Sequence, residues 1–168
     1  MNHFERLGQP QQYALDADAL EDAYLQRASA VHPDKFQGAS SSEQRQAMEA
    51  SAAVNEAYRT LRDRVKRAEY LVKLGGIDLD SSDPRTGAPK MPQAFLIEMI
   101  EQREELDAAK ASGGDALDAM RDTVETQLDA ALDRGIAQVG QGEVRAAAES
   151  LVVRRYLQRL LDEIDDLD

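Results

Sequence analysis

The sequence predicts an all-α fold in two parts. An antiparallel helical hairpin with short flanking helices should occupy residues 1–75, and a three-helix bundle residues 92–168, with a linker at 76–91. Three observations predict it. Apolar residues recur at intervals of three and four along most of the chain, which is the helical period. Ala, Leu, Glu, Gln and Arg are abundant, only 5% of residues are aromatic and tryptophan is absent, a balance that favours helices packed through small and aliphatic side chains. Gly, Pro and Ser clusters interrupt the periodic segments at the places where a helical protein needs turns.

Taken in order, Phe4 and Leu7 in HFERLG make one short helical turn stopped by Gly8 and Pro10. A second helix should begin after Asp16 or Asp18; Asp18 has Glu21 three residues on, a capping-box spacing. Leu20, Tyr24, Ala28 and Val31 draw its buried stripe, and Pro33 disfavours helical geometry at His32 and ends it. QGASSS is a flexible loop, after which Ser40 and Glu43 can cap a long third helix. Met48, Ser51 or Ala52, Asn55, Tyr58, Leu61 or Arg62 and Val65 mark the predicted face of that helix. The pattern continues through RAEYLVKL after a break near Asp63 and ends at Gly75-Gly76. Residues 76–92 hold three of the five prolines with several Asp, Ser and Gly, and read as a linker or an ordered loop. Helices are then predicted over roughly 92–111, 115–139 and 141–165, with SGGD and GQG as turns; short connections make neighbours antiparallel.

Composition excludes several classes of function. There are no cysteines and only two histidines, His3 and His32, so disulfides, thiol catalysis and a cysteine-held metal are out and no metal site or other cofactor is expected. The formal net charge of −12 is uneven: residues 1–75 carry 10 Lys and Arg against 11 Asp and Glu, residues 76–168 carry 10 against 21. The second half should repel nucleic acid and anionic lipid and favour basic protein partners. No apolar run is long enough to span a membrane, and the start of the chain has no secretory pattern, so cytoplasmic residence is the default expectation. An enzyme is disfavoured, because the plentiful carboxylates have neither a nucleophile and base nor a glycine-rich phosphate loop beside them.

One loop stands out. VHPDKF joins two helical patterns, and neither His32 nor Lys35 is needed to make a turn. His32 could serve only to cap the helix and Asp34 to start the loop. Around the tripeptide, however, stand Phe4-x-x-Leu7-Gly8, Tyr24, His32-Pro33-Asp34-Lys35 and Asn55-Glu56-Ala57-Tyr58-x-x-Leu61. Over residues 2–74 this order resembles the J-domain of DnaJ-type co-chaperones. The resemblance implies that His32, Pro33, Asp34 and Lys35, with Arg27 on the preceding helix, dock on a DnaK-type chaperone and promote ATP hydrolysis by that partner. Physically, Pro33 rigidifies the loop, Asp34 can accept from an arginine, and His32 can donate or accept. Leu25, Gln26 and Ala30 stand where J-domains often carry cations, so electrostatic steering should be weak.

The zinc modules of general DnaJ proteins are absent from the second half. RAEYLVKL-GG-IDL followed by MPQAFLIEMIEQREELDAA instead resembles the HscB family, J-type co-chaperones of iron–sulfur cluster assembly. That likeness implies two partners, an HscA-type chaperone and an IscU-type scaffold protein. Independently of it, Phe95, Met99, Gln102, Leu106 and Ala109 fall within a sector of about 80° of one helix, a core stripe in which Gln102 needs a rim position or a partner. Leu96, Ile97 and Ile100, with Glu101 and Glu104, fall about 170° away. An antiparallel bundle should need only the first sector, so the second is either buried by further neighbours or an exposed interface. The family's scaffold-binding surface falls on Leu96, Ile97, Ile100, Glu101, Glu104 and Tyr156. Tyr156 lies beside the Val153, Leu157, Leu160, Ile164 stripe and could equally be core margin. A different client, or dimerisation, is the alternative role for the bundle.

Overall fold

A computed structural model describes residues 1–167, and its contacts divide it into two compact units, Met1–Leu71 and the chain from Val72 onward. The described residues form seven α-helices and one 3₁₀ turn.

In the first unit, α1 (His3–Arg6) is held by a capping box: Glu5 N–H donates to the Asn2 side chain and Asn2 N–H to the Glu5 carboxylate, each at 2.9 Å. Four residues cannot sustain a helix alone. Burial of Phe4 and Leu7 supplies the rest, together with Tyr70, whose hydroxyl accepts from His3 N–H at 3.0 Å. Gly8, at φ +63°, turns the chain away in a conformation that side chains resist.

Helix α2 (Ala17–Ala30) starts from Asp16, whose side chain accepts from Ala19 N–H at 2.9 Å. The Asp18–Glu21 capping box is not used. Asp16 has the extended backbone a cap requires, and Asp18 already sits in the first turn, where its charge complements the helix dipole. The helix ends at Ala30, as Pro33 dictates.

Ser40 and Glu43 form the predicted capping box of α3 (Ser41–Arg62). The Ser40 hydroxyl and amide bonded to the Glu43 carboxylate hold it below the usual carboxylate range. The buried face of α3 is corrected: it consists of Ala47, Val54, Ala57, Thr60 and Leu61, while Met48 is 62% exposed and Asn55 and Tyr58 stand at the margin. Small side chains let packed helices approach closely, and Ala57, with no exposure, lies on this buried face.

Asp63 breaks the helix, as expected, and caps α4 (Arg64–Leu74) by accepting from Val65 and Lys66 N–H, both at 2.9 Å. Arg67 of the RAEYL motif fastens this junction. It donates to the Leu61 and Tyr13 carbonyls and lies 5.1 Å over the Tyr13 ring, tying the loop before α2 to the end of α3.

In the second unit, residues 76–91 are an ordered loop rather than a free linker. Asp78 N–H donates to the Thr86 carbonyl at 2.7 Å, Leu79 is buried, and Arg155 donates to the Leu79 carbonyl and the Asp80 carboxylate. Lys73 lies 2.9 Å from Asp78, and its hydrogen bond holds that carboxyl below the usual range.

Three helices follow: α5 (Gln93–Ser112), α6 (Gly114–Gly140) and α7 (Val144–Asp165). Met99, Leu106 and Ala109 of α5, Val124, Leu128 and Ala131 of α6, and Leu157, Leu160 and Ile164 of α7 share one core. Arg103–Glu163 at 2.6 Å spans α5 and α7, and Arg121–Asp165 at 3.0 Å spans α6 and α7. The most extensive contact is α6 against α7. At Gly135 of α6 the two helices are in tight contact, and an added Cβ would stand 3.1 Å from Leu151 Cδ2 of α7. Gly135→Val should therefore weaken the bundle by about 1–3 kcal/mol, read as lost amide-exchange protection along α6 and α7.

Candidate functional site: a capped turn and an exposed helix face

Each unit presents one candidate surface. In the first, His32, Pro33, Asp34 and Lys35 come together in a 3₁₀ turn, Pro33–Phe36. His32 is its N-cap: Nδ1 accepts from Asp34 N–H at 3.3 Å, and the His32 carbonyl accepts from Lys35 N–H at 3.0 Å. Pro33 occupies the first helical position, where its fixed φ fits and its missing N–H costs nothing. Capping is thus part of what His32 does, but it caps the turn that follows rather than the end of α2.

The capping bond has a chemical consequence. An Nδ1 that accepts must be unprotonated, so the neutral ring carries its proton on Nε2, and that N–H is the donor left for another molecule. The His32 and Asp34 side chains are 56% and 75% exposed, with Nδ1 3.6 Å from the Asp34 carboxylate. Lys35 reaches back to Ser29 Oγ at 3.3 Å. Arg27 is exposed and does not share the turn's hydrogen bonds; its guanidinium lies against Gly8, 3.6 Å from where a Cβ would stand. Leu25 is 54% exposed, so α2 shows an apolar side chain where a cation was noted to be missing.

The turn is positioned by a clamp between α2 and α3. The Tyr24 and Tyr58 rings stack at 4.1 Å, and the Tyr24 hydroxyl donates to Asn55 Oδ1 at 3.0 Å. The Asn-x-x-Tyr spacing puts both α3 partners on one face, under a single α2 residue. Sequence reading placed these residues on the packing stripes; it missed that they form a polar lock at the rim.

In the second unit, α5 divides as its periodicity predicts. Met99, Leu106 and Ala109 are buried, while Leu96, Ile97 and Ile100 are 38%, 48% and 59% exposed, and Glu101 and Glu104 are exposed beside them. Gln102 stands at the rim with its Nε2 3.4 Å from Gln127 Oε1. Tyr156 is half-buried, edge-on to Phe95 at 5.5 Å, so it is both core margin and groove wall. Between α5 and α7 lies an open groove of about 310 Å3 lined by Leu96, Ile100, Arg103, Tyr156 and Arg159 among others. Arg103 and Arg159 line this groove and were not singled out from the sequence. The spacing from Tyr156 to Arg159, one helical turn, was the available signal.

Comparison with known proteins agrees with this geometry. Residues 2–70 match the DnaJ domain, and residues 91–165 match the HSCB C-terminal oligomerisation domain. Together they define a J-domain co-chaperone with a dedicated helical C-terminal domain. The chain is 38% identical over 164 residues to the co-chaperone protein HscB homolog of Burkholderia multivorans, covering 97% of this chain and 91% of the relative. Its structure is similar to that of chaperone HscB from Vibrio cholerae (TM-score 0.78, 32% identity, 99% of this chain and 96% of that one). It is also similar to human co-chaperone protein HscB (TM-score 0.80, 28% identity, 98% and 81%). The chain belongs to the HscB co-chaperone family.

The tautomer assignment is directly testable. Nitrogen NMR of the neutral ring should show an unprotonated Nδ1 and a protonated Nε2, and His32→Gln should shift the Asp34 amide resonance. A protonated Nδ1 in the neutral ring would show that the cap does not form.

Proposed function

We propose that this protein is an adaptor co-chaperone acting in the cytoplasm. It docks an ATP-loaded HscA/DnaK-type chaperone on the His32-Pro33-Asp34 turn, holds an IscU-type iron–sulfur scaffold on α5, and couples scaffold delivery to hydrolysis. The hydrolysis belongs to the chaperone; this chain supplies binding energy and geometry.

The observation that carries the reading is where apolar surface is left uncovered. Of the eight large apolar side chains that are exposed among the described residues, three fall within five residues of α5, while the others are scattered along the chain. Single exposed apolar residues are ordinary, whereas a contiguous patch with a polar edge marks an interface. Covering Leu96, Ile97 and Ile100 would contribute on the order of 1.5–3 kcal/mol each before the costs of association. Glu101 and Glu104 at the edge add a preference for a basic partner rim. On the first unit, the capped turn offers a fixed Nε2–H donor and a carboxylate acceptor at low ordering cost, which suits docking rather than catalysis.

A second reading gives the same α5 patch to self-association or to another client. The matched C-terminal family is described as an oligomerisation domain, which favours testing it.

In a steady-state ATPase assay with an HscA-type chaperone, His32→Gln or Asp34→Asn should abolish stimulation while leaving scaffold binding intact. Leu96→Ala with Ile100→Ala should lose the scaffold in a pull-down, by about 2–5 kcal/mol, and keep basal stimulation. Stimulation that survives the turn substitutions would end the assigned mechanism. Unchanged scaffold capture, with a loss of dimer in sedimentation velocity, would favour the second reading.

A further inference from the structure

The patch on α5 is polar in a directional sense. Stepping around the helix at about 100° per residue from the core sector, Arg103 comes first, then Leu96 and Ile100, then Glu104 and Ile97, and last Glu101. The Arg103 side is the one that faces α7, since Arg103 pairs with Glu163 at 2.6 Å and the groove between the two helices runs from Leu96 and Ile100 to Tyr156 and Arg159. The apolar strip is therefore basic along its α7 edge and acidic along its far edge.

The two arginines are not equivalent. Arg103 is neutralised by Glu163. Arg159 lies 5.5 Å over the Tyr156 ring, is exposed, and has no carboxylate within ion-pairing distance among the described residues. Its i+4 neighbour, Glu163, is the residue that Arg103 engages. Stacking on an aromatic face orients the guanidinium plane and restricts it before binding, while leaving its N–H fork open. In a unit rich in carboxylates, an oriented arginine without a partner at the mouth of an apolar groove is suited to accept an anionic group.

We propose that Arg159 is a specificity-determining residue of the scaffold interface. It receives a carboxylate of the scaffold protein that neighbours the apolar side chain seated in the α5–α7 groove, while Glu101 and Glu104 meet cationic groups on the opposite side. Reversed polarity on the two edges admits the scaffold in one orientation and repels the inverted one. The inference rests on the docking reading above and adds the register of docking to it.

The test is isothermal titration of full-length variants with an IscU-type scaffold protein at two ionic strengths. Arg159→Glu should weaken binding about tenfold or more, the size expected for losing a charge-assisted hydrogen bond and gaining a like charge. Arg159→Lys should fall between the two, because the charge remains and the planar fork does not. Arg159→Gln should reduce the salt dependence of the affinity, which a purely structural role would leave unchanged. Stimulation of the chaperone without scaffold should be unaffected by all three. If Arg159→Glu and Arg159→Gln bind as the parent does while Leu96→Ala with Ile100→Ala does not bind, the role of Arg159 is overturned and the docking reading stands. If the double alanine variant binds fully, both fall.

Discussion

A helix in a three-helix bundle can bury only the sector its neighbours cover. Helix α5 carries apolar side chains on that sector and on another, and the structure resolves the excess in one way: Met99, Leu106 and Ala109 go into the core, and Leu96, Ile97 and Ile100 stay out. Everything distinctive about the second unit follows from that division. The core it forms with α6 and α7 is largely aliphatic, with Gly135 of α6 tight against Leu151 of α7, and it draws no residue from the outer face. The outer face is free to be used, and its two edges carry opposite charge.

The first unit solves a different problem, holding a short turn in one conformation on the surface. Three local devices contribute: proline at the first position, the His32 side chain over the Asp34 amide, and the tyrosine stack with its Asn55 bond between α2 and α3. Each removes freedom that binding would otherwise have to remove. The same histidine ring is both the cap that fixes the turn and, through Nε2, the donor it offers. The structural role of the ring therefore leaves Nε2 available for the docking proposed above.

Much of this was legible in the sequence because helical periodicity, caps and glycine breaks are local signals. The break at Asp63, the Ser40–Glu43 cap, the three bundle helices and the two-faced character of α5 all belong to that kind. Where reading failed or left a choice open, the deciding information came from the folded chain. The face of α3 was misplaced because large residues weigh most in a stripe, whereas the buried face includes alanine at 47 and 57. Asp16 and Asp18 were both open as the start of α2, and the extended backbone at Asp16 decides between them. Residues 76–91 read as a linker or an ordered loop, and the hold of Arg155, more than seventy residues away, makes the segment an ordered loop. Arg159 carries no motif; its meaning depends on Arg103 having already claimed Glu163.

The central claim is that one chain bridges two partners, so the two surfaces must lie on the same molecule. The most direct measurement mixes two full-length variants, His32→Gln and the Leu96→Ala, Ile100→Ala double substitution, and follows chaperone ATPase with scaffold present. Each variant keeps one surface. Bridging predicts that the mixture fails to restore the scaffold-dependent rate of the parent chain at any ratio. Full restoration by the mixture would show that the surfaces act independently and would contradict the account.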